Sequence, residues 1–249
     1  MRVLGVIPAR LGSTRIPNKP LQLLAGEPLV TRVIDRVRKL GLVDELVVAT
    51  DSTMVCRIVE LAGARAVLTR ESHSSGTDRV AEAASRPEYA GCDVVANIQG
   101  DEPFLPGAAL AGALDRIAQG DEVGTAAAPL SAEQAGDPDR VKVVADAQGH
   151  ALYFSRAAIP FRRERTPPPR DLYWQHVGVY AYRREALDRW TRLPPVPAEE
   201  AERLEQLRAL HYGMRVGVAQ LAEPAQPGVD TPEDLRRAEA HWLAQREDR

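Results

Sequence analysis

The chain has 249 residues, of which 44% are apolar and 27% charged, with a net charge of −3. That is enough apolar material for a sizeable core, and the interspersed charges exclude a general nucleic-acid binder, which needs a basic face. No apolar run approaches the ~18 residues of a membrane span, no secretory leader pattern opens the chain, and Cys56 and Cys92 match no metal or redox spacing, so a reduced cytoplasmic protein with both thiols packed as small hydrophobes is expected.

Residues 3–7, VLGVI, form a short β-branched run that breaks at Pro8. Residues 45–50 and 94–98 repeat this character, and continuous apolar runs of this kind suit strands buried on both faces of a parallel sheet. Between them, 29–40 sets Leu29, Val33, Val37 and Leu40 on one helical stripe. Residues 54–63 repeat the pattern and stop at Gly63, and 77–85 reads as a further helix. Strands alternating with helices predict right-handed crossovers and a doubly wound α/β sheet.

The second half is less regular. Residues 124–130, 141–146, 151–155 and 177–182 read as strands, some of them antiparallel, and 165–169, RTPPP, reads as an exposed loop. Helical patterns return at 199–211 and 231–245. The latter opens with Thr231, Pro232, Glu233 and Asp234, a cap residue followed by proline and acids at the positive end of the helix dipole. There is no internal repeat and no long linker, so one domain over 1–249 is expected.

Ligands of open α/β sheets bind outside the carboxyl ends of the strands. The loop that leaves the first strand, VIPARLGSTRIPNKPL at 6–21, carries Arg10, Arg15 and Lys19 among the small residues Gly12, Ser13 and Thr14. It is neither a Walker A loop nor a GxGxxG fingerprint. It reads either as a solvated basic loop or as a cradle for a polyphosphate. NIQGDEP, 97–103, places Asp101 just past a buried strand, where a carboxylate can hold a hard cation such as Mg²⁺. Asp230, in GVDTPED at 228–234, alone reads as a turn or capping acid; beside Asp101 and a cationic loop it becomes the second carboxylate of such a site. Glu102, Glu233 and Asp234 are assigned to turns and the helix dipole. HSSGTDR, 73–79, offers Ser75, Thr77 and Arg79 either as a helix cap or as readers of a base edge.

Taken in order, IPAR-x-x-S-T-R-x-P-x-K-P-L, HSSGTDR, NIQGDEP, ALYFSRAAIPF, HVGVYAYR, LEQLRAL and GVDTPEDL resemble the CMP-Kdo synthetases, the 3-deoxy-manno-octulosonate cytidylyltransferases, from about Val3 to Leu235. The resemblance implies a Rossmann-like, mainly parallel sheet of the nucleotide-diphospho-sugar transferase type, with a smaller mixed α/β insertion used in dimerisation. It implies a CTP-binding half at about 1–130, a sugar-binding and dimerisation part at 131–225, and a metal-ligand loop and helix at 226–249. The reaction implied is CTP + Kdo → CMP-Kdo + pyrophosphate, serving lipopolysaccharide synthesis. Lys19, Arg10, Asp101 and Asp230 would be catalytic, and Asp101 and Asp230 would hold Mg²⁺, with a second ion on the triphosphate. CTP would meet Pro8, Ala9, Arg10, Ser13, Lys19, Ser75, Thr77, Arg79 and Gln99. Kdo would meet Gln99, Arg156, His176, Tyr180, Glu205 and Gln206. The expected assembly is a homodimer that includes strands from 141–182.

His73, His150, His211, His241 and the three tryptophans, Trp174, Trp190 and Trp242, read as structural or solvent-facing. Two positions depart from the family pattern. Asn18 stands where glycine is common, and asparagine tolerates the left-handed conformation. Gln175 stands where a basic residue is frequent, which keeps a related sugar acid open, an amino-substituted Kdo or a nonulosonic acid among them. A sugar-phosphate uridylyl- or guanylyltransferase and a non-catalytic nucleotide-binding regulator are the other readings of such a chain.

Overall fold

The computed structural model describes residues 1–12, 15–73, 75–163 and 172–247. Ser13, Thr14 and the 165–169 loop lie outside the described residues. The chain forms two compact units, Met1–Leu105 together with Gln226–Arg249, and Pro106–Ala225.

In chain order the first unit holds β1 (Val3–Ala9), the short strands β2 (Leu23–Leu24) and β3 (Glu27–Pro28), and α1 (Leu29–Leu40). β4 (Glu45–Thr50), α2 (Thr53–Leu61), β5 (Arg65–Leu68), α3 (Gly76–Ala84) and β6 (Val94–Ile98) follow. β1 pairs in parallel with β4 on one side and β6 on the other, and β5 adds in parallel beyond β4. All of β6 and nearly all of β1 are buried, as continuous apolar runs in a doubly covered parallel sheet require. α1 buries a broader stripe than its spacing alone indicates: Val30 and Ile34 join Leu29, Val33 and Val37, while Leu40 is only half-buried. It stops at Gly41, whose φ of 63° few side chains tolerate. The side chain of Ser52 caps α2, accepting from Val55 N at 3.3 Å.

The second unit contains α4 (Gly107–Ala118), β7 (Val123–Leu130), β8 (Lys142–Ala145), β9 (Ala151–Ser155) and β10 (Tyr173–Arg183), then α5 (Arg184–Trp190), α6 (Pro197–Glu202), α7 (Gln206–His211) and β11 (Val216–Gln220). β7 pairs in parallel with β11 and antiparallel with β10, and β8 joins β10 to β9 through antiparallel pairs. The sheet is thus mixed here and parallel in the first unit.

The single helix expected over 199–211 is two. α6 ends at Arg203, which takes a left-handed φ of 54°, and α7 begins at Gln206. Tertiary contacts explain the break: the Glu202 carboxylate accepts from Ser155 Oγ at 2.6 Å and Arg156 N at 2.9 Å, and Leu204 turns into the core. α8 (Pro232–Glu247) closes the chain and belongs to the first unit. Thr231 Oγ1 accepts from Asp234 N at 3.1 Å while the Asp234 carboxylate accepts from Thr231 N at 2.8 Å, a reciprocal cap. Among the described residues no helix is long and apolar enough to cross a membrane. Cys92 is buried as expected, whereas Cys56 is half-buried.

Gly124 marks where α4 lies against β7: a Cβ there would stand 2.0 Å from the Ala113 carbonyl oxygen. Gly124→Ala should therefore lower the unfolding free energy by about 1–3 kcal/mol, read as a reduced denaturant midpoint. An unchanged midpoint would mean that α4 moves off the strand without cost.

Candidate active site

From β1 the chain builds outward through β4 and β5 and then crosses to β6 on the opposite side of β1. The crevice at the carboxyl ends of β1 and β6 is therefore the topological switch point, where such sheets bind ligands. A cavity of about 300 Å³ opens there. One side is the end of β1, with Pro8, Ala9 and Arg10; the other is the turn after β6, with Gln99, Gly100 and Asp101. The two ends approach so closely that a Cβ on Gly100 would lie 2.8 Å from the Pro8 carbonyl oxygen, so this position accepts no side chain.

Lys19 stands at the centre of the charge distribution. Asn18 takes the left-handed conformation, φ 52° and ψ 38°, which the sequence permitted. It directs the chain into the short 3₁₀ turn that carries Lys19. The Lys19 ammonium donates to Asp101 Oδ2 and, at 2.8 Å, to Asp230 Oδ1. Burial alone would pull its pKa down, but the two carboxylates and their hydrogen bonds outweigh burial and raise it. Arg15 adds a second cation, its Nη2 lying 3.1 Å from Asp230 Oδ1.

Asp230 arrives from the far end of the sequence because its loop is pinned at several points. Val229 N donates to the Asp101 carbonyl at 2.9 Å, and Asp234 Oδ2 accepts from Asp230 N at 3.2 Å. Val229 and Ala238 share an apolar cluster with Ile16, Leu24 and Leu29, against which Phe104, Leu235 and Trp242 pack. Arg32 stacks 4.4 Å above the Trp242 ring and donates to Leu24 O at 2.9 Å, fastening α8 to α1. Trp242 is thus structural, as its sequence reading had it.

The two carboxylates already have a cation between them. Hard oxygen donors of this kind, with water completing the shell, are the donor set magnesium uses. Among the described residues no group of three or more His, Cys, Asp and Glu gathers as a metal site, and a magnesium ion needs only one or two protein carboxylates.

The remaining wall comes from the loop before α3 and the start of that helix. Ser75 caps α3, its Oγ accepting from Asp78 N at 3.1 Å, and Gly76 packs against the Pro8 ring. Arg79 lines the cavity but is 2% exposed, held by Asp51 at 2.8 Å and by Thr69 Oγ1. Thr77 is buried in α3 and does not line the cavity. The cavity also takes in His73, read from the sequence as structural; its ring bonds Glu82. A histidine immediately before a string of small polar cap residues was the signal available for it.

Gln99 lines this cavity, while Arg156, His176, Tyr180, Glu205 and Gln206 belong to the second unit. Arg156 is tied down, Nε donating to Glu202 O at 2.8 Å and Nη1 to Pro138 O at 2.9 Å. His176 Nε2 and Thr125 Oγ1 are 2.9 Å apart, and its ring meets Phe154 edge-on and lies 5.2 Å from Tyr180. Burial pushes the Tyr180 phenol well up, with Tyr182 and Glu205 adding to the effect. Glu205 accepts from Trp190 Nε1 at 3.3 Å, and Gln206 is buried at the first turn of α7. Gln175 Oε1 accepts from Arg140 Nη1 at 2.6 Å, so a guanidinium lies beside this β10 position.

Burial lowers the His176 pKa to about 4. The ring should hold one neutral form from pH 5 to 8, so its NMR resonances should not titrate there. Below ~6.5 the unfolded ring takes up a proton that the folded ring refuses, so stability falls as the pH drops from ~6.5 toward 4. A ring that titrates near 6.5 in the folded protein would contradict this environment.

Three comparisons bear on the chain. The family described as Cytidylyltransferase matches residues 4–216. The 3-deoxy-manno-octulosonate cytidylyltransferase of Gemmatimonas aurantiaca is 52% identical over 245 residues, covering 97% of this chain and 95% of that one. The solved structure of CMP:2-keto-3-deoxy-manno-octonic acid synthetase complexed with CTP superposes with a TM-score of 0.90 at 37% identity, over 98% of this chain and 100% of that one. A 4-diphosphocytidyl-2C-methyl-D-erythritol synthase from Anaerococcus prevotii shares the fold, with a TM-score of 0.62 at 14% identity over 97% of this chain and 98% of that one.

Proposed function

This chain belongs to the cytidylyltransferase family, and from that membership we propose that it activates Kdo, transferring CMP from CTP to the anomeric 2-hydroxyl and releasing pyrophosphate. The observation that carries the reading is the convergence of Lys19, Asp101 and Asp230 at the β1/β6 switch point. The 2-hydroxyl oxygen attacks the α-phosphorus, the bond to the bridging oxygen breaks, and the electron pair leaves with pyrophosphate. Positioning and electrostatics carry such a transfer, so no protein nucleophile is needed.

In this reading the triphosphate lies along the β1 loop. Lys19, Arg10 and Ser13 are assigned to its phosphates, where fixed cations favour the charge that grows on the leaving group. Pro8, Ala9, Ser75, Thr77, Arg79 and Gln99 are assigned to the cytidine. The buried position of Thr77 and the ties on Arg79 give these two a supporting role rather than free contacts. Asp101 and Asp230 would hold Mg²⁺, which when bound polarises the reacting oxygens and eases loss of the hydroxyl proton. A second ion would travel with the triphosphate. In the second unit, Arg156, His176, Tyr180, Glu205 and Gln206, with Gln99 of the first, are assigned to the sugar acid.

One cytidylyltransferase domain across 1–249, a homodimer built on the 141–182 strands, a cytoplasmic setting and a place in lipopolysaccharide synthesis complete the proposal. The test is pyrophosphate release with Mg²⁺, CTP and Kdo, run beside CTP with sialic acid. Release with Kdo alone is expected, and release with sialic acid alone would overturn the substrate. Asp101→Asn should reduce kcat by about 10²–10³-fold while CTP binding, read by calorimetry, changes little. Wild-type turnover in that variant would remove Asp101 from the metal site.

A further inference from the structure

Glu82 is the fixed point of the loop that carries His73. Its Oε2 accepts from Arg70 N at 3.2 Å, from Arg70 Nε at 3.3 Å and from His73 Nε2, and Arg86 lies 4.0 Å from its other oxygen. Burial by itself would raise the Glu82 carboxyl, but the hydrogen bonds from His73 and Arg70 outweigh it and hold the pKa below the usual value. An ionised carboxylate offers only lone pairs, so the ring nitrogen bonded to it carries the hydrogen. In the neutral form of the ring, the hydrogen fixed on Nε2 leaves Nδ1 as a bare acceptor.

That ring lies in the cavity wall with its side chain 11% exposed, and Nδ1 takes no hydrogen bond among the described residues. Of the polar side chains next to it in the wall, Arg79 is donor-only, and Ser75 Oγ has one of its two lone pairs taken by Asp78 N. The two common pyrimidines differ in the same respect: cytosine carries an amino donor at C4 where uracil carries a carbonyl acceptor.

We propose that His73, oriented by Glu82, selects the nucleobase, its Nδ1 accepting from the 4-amino group of cytosine and opposing the 4-carbonyl of uracil. His73 is then a specificity residue and Glu82 its positioning residue. The inference rests on the CTP reading above and adds the group that distinguishes CTP from UTP. A site that hydrogen-bonds one substrate group rejects an analogue that cannot pair with it, because a buried polar atom is left unsatisfied.

The experiment measures kcat/KM for CTP and for UTP, with Kdo and Mg²⁺, in the wild type, His73→Phe and Glu82→Gln, alongside the nucleotide-induced rise in Tm. The wild type should prefer CTP. His73→Phe should cut the CTP:UTP ratio about tenfold or more, mainly through CTP, and Glu82→Gln, which frees the tautomer, should cut it by a smaller factor. A purely structural role would lower both nucleotides together and leave the ratio unmoved, which would overturn the proposal. If His73→Phe does not fold, the ratio in Glu82→Gln decides alone, and no change there is equally fatal. A wild type that uses CTP and UTP equally would overturn the base selection, and one that turns over neither would instead refute the cytidylyltransferase reading.

Discussion

One ammonium group between two carboxylates organises the first unit. Asp101 and Asp230 approach the same point from remote parts of the chain, and without a cation between them their repulsion would open the site. The Lys19 side chain, 14% exposed, supplies that cation, and the carboxylates more than offset the cost of burying it. Everything nearby serves to hold these groups together: the left-handed Asn18 that aims the Lys19 turn, the Gly100 contact with Pro8, and the Val229 hydrogen bond to Asp101.

Backbone-level ties of this kind explain how a polar, charged cavity persists in a marginally stable protein. Asp230 stands on a loop, yet that loop is closed by the Thr231–Asp234 cap, by an apolar cluster and by the Arg32 stack on Trp242. The cap pairs act at short range, while the cluster spans the chain from Ile16 to Ala238. The result is a site whose charges are preplaced, as transfer to a nucleotide phosphorus requires. The second unit uses a different device, an aromatic cluster in which Tyr180 stacks on Tyr182 and Trp190 meets both edge-on, beside a His176 ring whose burial favours the neutral imidazole.

The sheet of the first unit was legible because a strand buried on both faces leaves a continuous apolar run; 45–50 and 94–98 match β4 and β6 residue for residue. β5, α4 and β11 were not singled out. β5 is only four residues with a charge at its start, α4 is built largely from small residues with Leu110, Leu114 and Ile117 as its larger apolar side chains, and β11 is a short glycine-containing run, so none stands out as a long apolar run. The helix over 199–211 failed for a different reason: its periodicity is continuous, and only the demand of Ser155 and Arg156 on Glu202 breaks it at Arg203.

By itself the sequence determined the alternation of strand and helix, the cationic loop after the first strand, and the acids at 101 and 230, because these depend on local periodicity and on residue types at short spacing. It also determined the family, through motifs read in order. Only the tertiary structure decided that Lys19 sits between the two acids, that Arg79 is spent on Asp51 and Thr69, and that His73 belongs to the cavity wall. Each of these depends on which side-chain partners the fold brings within hydrogen-bond distance across long stretches of chain, and no local pattern encodes that distance.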